Sequence, residues 1–161
     1  MRLVIQRVSS AEVTWGPERS PDAGVGNGRE GIGKGLLILV GVGPEDGEEI
    51  ARRLAAKVAA LRIFADRDGR TNLNLADVGG EALIVSQFTL YADLGRGRRP
   101  SFAGGAGPVL ADRLYRSFAS ALERAGIKVK TGRFGARMAV RLINDGPVTL
   151  VLSSDDWQTR A

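Results

Sequence analysis

The chain has no cysteine and no histidine. Without cysteine there are no disulfides, no thiolate nucleophile and no Cys-based zinc site. Without histidine, the commonest general base and the commonest metal ligand are missing, which excludes a Ser-His-Asp triad, a Cys-His pair and any His-containing zinc centre. Aromatic residues make up 6% of the chain, and no aromatic-rich signature of an RNA-recognition motif is present. Long apolar runs are absent too. The longest, Leu36 to Val42, is broken by Gly41 and falls far short of the about 20 residues a membrane helix needs. Met1-Arg2-Leu3-Val4-Ile5-Gln6-Arg7 puts polar and basic residues where a signal peptide requires an unbroken apolar stretch. A cytosolic location without membrane contact is the expectation.

At 161 residues the chain has the length of one ordinary domain with one continuous core. Hydrophobic residues account for 43% and charged residues for 25%, as in ordinary globular proteins. The net charge is +5, the sequence pI about 10.2, and 19 of the 23 basic residues are arginine. Arginine's planar fork suits phosphate, so nucleic acid is a natural partner class. The plainer reading is a compositional bias with no partner behind it.

Met1 to Val8 alternates apolar and polar side chains as a half-buried strand does, and Ala11 to Trp15 reads as a second short strand. Residues 16–34 are crowded with Gly, Pro, Ser, Asp and Asn and read as a flexible arm or hairpin. Leu36 to Val42 fits a central strand buried on both faces. Ile50, Leu54, Val58 and Leu61 recur at helical spacing behind the acidic start Glu48-Glu49. Ala82 to Leu90 reads as a strand. Pro108 to Ala125 reads as a helix striped by Leu110, Leu114, Phe118 and Leu122 and closed by Gly126. Lys128 to Arg133, Met138 to Ile143 and Val148 to Leu152 complete the strands, the last two as a hairpin-like pair. The tail 154–161 reads as poorly ordered. The expected class is α+β: one domain over 1–153, with a mixed, mostly antiparallel, curved or barrel-like sheet and two main helices.

Two segments stand out because polar residues interrupt apolar strands. Ala82-Leu83-Ile84-Val85 leads straight into Ser86-Gln87-Phe88-Thr89. The plain reading is a strand reaching the surface. The sharper one is that the N–H groups of Phe88 and Thr89 address a developing oxyanion while Ser86, Gln87 or Thr89 orients a substrate. Asn144-Asp145-Gly146-Pro147 is either a tight turn or, with Gly146-Pro147 in the cis form that X-Pro bonds readily adopt, a rigid wall for sorting the substituents of a chiral carbon. Between them, Arg96, Arg98 and Arg99 sit in a glycine-loosened loop that fits either a phosphate backbone or plain solvent. Asp66-Arg67-Asp68-Gly69 lacks the later ligands of a calcium loop and reads as a surface turn. The glycines at 24, 26 and 28 and at 31, 33 and 35 do not form a dinucleotide fingerprint. No metal or cofactor is expected.

Gln6-Arg7-Val8, Asn72-Leu73-Asn74, Ser86-Gln87-Phe88-Thr89-Leu90, Arg99-Pro100-Ser101-Phe102, Thr131-Gly132-Arg133-Phe134 and Asn144-Asp145-Gly146-Pro147-Val148-Thr149 together resemble the D-aminoacyl-tRNA deacylase family, in family order and across nearly the whole chain. The resemblance implies a homodimer that removes D-amino acids, and mischarged glycine, from tRNA by hydrolysing the ester to the terminal adenosine. It places Ser86, Gln87, Phe88 and Thr89 in the pocket. It makes Gly146-Pro147, in cis form and reaching into the partner's pocket, the element that rejects L side chains, supported by Arg7 and Asn144. Thr89 matches a threonine read either as nucleophile or as a bystander to main-chain groups and the substrate's 2'-hydroxyl, and the missing histidine fits the second. Two alternatives remain beside this: a paralogue with a trans Gly-Pro that clears mischarged L-alanyl-tRNA, and a non-enzymatic tRNA-binding module. The long arm 16–30 and the tail depart from the family pattern.

Overall fold

The structure, a computed structural model, describes residues 1–17, 26–95 and 97–157. A six-stranded mixed sheet holds them together, built from β1 (Arg2–Trp15), β2 (Gly28–Ile32), β3 (Gly35–Gly41), β6 (Glu81–Ser86), β7 (Lys128–Thr131) and β8 (Met138–Ser153). β1 pairs antiparallel with β2, β3 and β8, whereas β3–β6 and β6–β7 are parallel. The sheet curls until β7 and β2 approach, where Lys130 and Glu30 form an ion pair at 3.2 Å. The helices are α1 (Glu48–Ala60) and α2 (Pro108–Arg124). A small ribbon of β4 (Phe64–Ala65) and β5 (Thr71–Leu73) flanks the Asp66 turn, where Asp66 accepts hydrogen bonds from the Asp68 and Arg70 amides, both at 3.0 Å.

Burial on both faces explains why β3 and β6 are so apolar. Leu36, Ile38, Ala82 and Ile84 face the helices and join Leu54, Val58, Leu114, Phe118 and Leu122 in the larger core. Leu37, Leu83 and Val85 point the other way, into the curl, and meet Val8, Ala11, Val13 and Ile32. α2 starts with Pro108, whose missing N–H costs nothing in a first turn. It ends at Gly126, at φ +83°, with Ile127 N–H donating to Leu122 O at 3.2 Å and Gly126 N–H to Glu123 O at 2.9 Å, a Schellman closure that glycine accommodates without strain.

Several boundaries differ from the sequence expectation, each for a physical reason. Met1–Val8 and Ala11–Trp15 are one strand. Its alternation loses phase because the pairing with β8 shifts register between Gln6 and Val8 and between Val8 and Ser10. Met138–Ile143 and Val148–Leu152 are likewise not a hairpin but halves of one strand, both paired to β1, with Asn144 to Val148 bulging at the same irregularity. The strand expected over Ala82 to Leu90 stops at Ser86 and becomes a 3-10 turn, Phe88–Tyr91. Residues 28–32 of the arm form β2, while 18–25 lie outside the described residues. The tail's start is ordered: Ser154 is buried and its N–H donates to Met1 O at 2.9 Å, opening the 3-10 turn Ser154–Trp157. Residues 158–161 lie outside the described set.

Candidate active site

The 3-10 turn after β6 is held from below by the absence of side chains. Gln87 N–H makes the last bond along β3, to Val40 O at 2.8 Å, and the chain then lies across Gly41 and Gly43. A Cβ at Gly41 would stand 2.9 Å from Leu90 Cβ and 3.1 Å from Gln87 O, and one at Gly43 would stand 2.7 Å from Tyr91 Oη. Tyr91 anchors the far end. Its hydroxyl donates to Asp46 at 3.4 Å, the Arg2 guanidinium lies 4.4 Å from its ring centre, and Arg2 Nη1 donates to Leu90 O at 3.1 Å. Burial, reinforced by the Asp46 carboxylate, pushes the Tyr91 phenol well above its ordinary value.

Above this turn lies a cavity of about 450 Å³. The strand ends supply Val40 and Ser86, the turn supplies Gln87 and Phe88, α2 supplies Tyr115, and Phe134, Met138 and Val140 close the side. Phe88 and Phe102 meet edge to face at 5.3 Å, although Phe88 is 62% exposed. Both rings stay open to solvent beside the cavity, Phe102 being 45% exposed. Tyr115 donates to Ile84 O at 2.8 Å, and burial pushes its phenol well above its ordinary value, so it stays protonated and serves as a fixed wall.

The turn also carries main-chain donors. As first residues of a 3-10 turn, Phe88 and Thr89 have no internal acceptor for their N–H groups, and among the described residues neither N–H makes a hydrogen bond. The Thr89 hydroxyl accepts a hydrogen bond from Gln87 Nε2. No carboxylate is hydrogen-bonded to it among the described residues, and the chain has no histidine. Among the described residues no group of three or more His, Cys, Asp or Glu side chains could hold a metal.

The second polar interruption is braced separately. Arg7 Nε donates to Asp145 O at 2.9 Å, its Nη1 donates to Ile63 O, and its guanidinium approaches the Asp145 carboxylate at 3.8 Å. Asn144 ties the bulge's two sides together, accepting from Val148 N–H at 2.8 Å and donating to Thr149 Oγ1 at 3.0 Å. Gly146 sits at φ +129°, an angle that favours glycine, and a Cβ there would lie 2.5 Å from Arg7 Nη2, which would have to move. The Gly146-Pro147 bond is cis. Asp145, Gly146 and Pro147 are exposed.

Ser86, Gln87 and Phe88 therefore line the cavity and Thr89 stands on the same turn, while Arg7, Asn144, Gly146 and Pro147 form a cluster outside the cavity lining. Arg98 and Arg99 are exposed on a loop pinned by Asp93 and Ser101, which exchange two backbone hydrogen bonds at 2.8 and 3.0 Å. Arg96 lies outside the described residues. Tyr115 was hidden in the sequence because it neighbours Leu114 in a helix stripe that reads as core. Its hydroxyl, a polar atom on a core-facing helix, was the available signal.

The sequence pattern of the D-Tyr-tRNA(Tyr) deacylase family matches residues 4–153. A D-aminoacyl-tRNA deacylase of Roseiflexus sp. (strain RS-1) is 58% identical over 154 residues, covering 96% of this chain and 94% of its own. One from Thermotoga petrophila is 50% identical, covering 96% and 97%. Among solved structures, the c-Myc DNA Unwinding Element Binding Protein superposes with a TM-score of 0.81 at 35% identity, over 96% of this chain and 99% of that one. A probable eukaryotic D-amino acid tRNA deacylase, at 17% identity and a TM-score of 0.77, shares the fold. The chain belongs to the D-Tyr-tRNA(Tyr) deacylase family.

Proposed function

We propose that this protein hydrolyses the ester joining a D-amino acid, or mischarged glycine, to the terminal adenosine of tRNA. The observation that carries the reading is the pair of N–H groups, Phe88 lining the cavity and Thr89 beside it on the same turn, with no hydrogen-bond partner among the described residues and no acidic or basic side chain among the described residues that line the cavity. An aminoacyl ester is already activated. Water adds to its carbonyl carbon, the oxyanion settles on the two N–H donors, and the carbon–oxygen bond to the ribose breaks. The adjacent 2'-hydroxyl assists proton transfer to the leaving oxygen. Proximity and preorganised donors lower this barrier without a protein nucleophile. In this reading Thr89 orients rather than attacks, and Ser86 and Gln87 hold the ester.

Chirality is sorted by Gly146-Pro147. The dipeptide is exposed outside the lining of its own chain's cavity, so it acts in the cavity of a second copy. β8 supports such pairing: it joins only β1 among the described strands, and it carries Val140, Ile143 and Val151 exposed. A long apolar edge strand of this kind is a ready surface for self-association. Arg98 and Arg99, and Arg96 by sequence, serve the tRNA phosphates, and the protein works in the cytoplasm without a cofactor.

The test is release of D-tyrosine against L-tyrosine from charged tRNA. Rapid release of the D form and near-silence on the L form are expected. Equal rates would defeat the sieve, and no release of either would defeat the deacylase.

A further inference from the structure

A second cleft, of about 470 Å³, adjoins the cavity. Tyr115 and Phe134, whose rings lie 5.9 Å apart, line both, so the two hollows share a wall. Trp15 at the end of β1 forms another side of the cleft, and its indole is seated on Gly28, where a Cβ would fall 2.3 Å from the ring. Arg133, next to Phe134, stands at the shared wall and has no ion pair among the described residues. Arg116, by contrast, is paired with Asp112 at 2.9 Å. Glu123, and Glu30 through the oxygen it does not share with Lys130, add carboxylates to the lining.

An indole, an unpaired guanidinium and hydrogen-bond acceptors in one groove are the parts with which proteins hold single-stranded nucleic acid: a ring for stacking and a cation for the phosphate. The acidic acceptors favour a base with an exocyclic amine, as carboxylates do with cytosine N4. A nucleotide one step from the terminal adenosine must leave the cavity across one of its walls, and the Phe134 wall leads into this groove.

We propose that the cleft holds the unpaired cytidine that precedes the terminal adenosine, with Trp15 against the base and Arg133 on the linking phosphate. This rests on the deacylase reading above. It extends the contact with tRNA from one nucleoside to two, and it gives Trp15 and Arg133 a role in substrate binding separate from the ester chemistry.

The test compares two small substrates with the intact protein: the D-tyrosyl ester of adenosine, and the same ester of cytidylyl-(3',5')-adenosine. The dinucleotide ester should show a kcat/KM about tenfold higher, carried by KM, as expected for one stacked base. Trp15→Ala and Arg133→Gln should each pull that ratio toward one while leaving hydrolysis of the adenosine ester unchanged. Arg133→Gln, a surface change, carries the test if Trp15→Ala does not fold. Equal handling of the two esters by the unaltered protein would overturn the proposal, as would variants that slow both esters alike. Failure to cleave either ester would instead overturn the deacylase reading, and this inference with it.

Discussion

Ser86–Thr89 and Asn144–Pro147 both break an apolar strand with polar residues, yet they end up in opposite surroundings. The first terminates an interior strand, and its turn is clamped between Gly41, Gly43 and the Arg2–Tyr91–Asp46 cluster beside an apolar cavity. The second bulges from an edge strand, held at its base by Arg7 and Asn144, with its tip exposed. The same kind of local sequence therefore yields a cavity wall in one place and an exposed projection in the other. What decides is the neighbour: β6 is flanked by β3 and β7, whereas β8 has β1 on one side alone among the described strands.

The sharpest way to break this comparison is Gly146→Ala. The new Cβ, 2.5 Å from Arg7 Nη2 at a φ of +129°, must displace the Arg7 guanidinium or the strained tip, and on the proposed function that shift is expected to cost about a hundredfold in kcat/KM on D-aminoacyl-tRNA. Steady-state deacylation with a thermal melt checks it, and full activity would detach the bulge from the reaction. Arg7→Ala removes the donors to Asp145 O and Ile63 O. It should cost about 1–3 kcal/mol of stability and narrow the gap between D and L substrates, read by denaturant unfolding and paired assays.

Gly41→Ala tests the other region. A methyl pushed against Leu90 and Gln87 O tilts the donor turn, so kcat should fall by about tenfold with KM little altered. A pure KM effect would speak against the Phe88 and Thr89 N–H groups as the reacting donors. Thr89→Ala should stay within about tenfold of the parent, whereas losing a true nucleophile costs about a millionfold in kcat where a serine protease has been measured. A folded variant that binds tRNA and shows no turnover would reinstate the hydroxyl.

The smallest effect concerns stability. Burial raises the Tyr115 phenol above its ordinary value of 10.0, so the unfolded chain loses this proton first as the pH climbs. The stability contribution is complete below about pH 10 and is lost above it. Tyr115→Phe should flatten that alkaline decline in chemical denaturation. An unchanged decline would assign it to other groups.

Much of the architecture was legible in the order of residues. The 3.6-residue stripes of α1 and α2 and the two-sided apolar runs of β3 and β6 are local patterns, and local patterns survive in one dimension. The misread elements all depend on a partner. The continuity of β1 and β8 became visible only with their mutual pairing, because two register shifts scramble the alternation that would have joined the pieces. The end of β6 was misplaced for a related reason: Phe88-Thr89-Leu90-Tyr91 has the composition of a strand and becomes a turn because Gly41, Gly43 and Asp46, far away in sequence, receive it.

The sequence by itself determined the chemistry that is excluded, since no fold can supply histidine or cysteine to a chain without them. It also determined which short segments are unusual, through polar residues placed where apolar strands should continue. Only the tertiary structure decided what surrounds those segments. Hydrogen-bond availability and backbone geometry are properties of place: the Phe88 and Thr89 N–H groups have no partner among the described residues because a strand stops there, and Gly146 favours glycine because the bulge holds it at a φ of +129°.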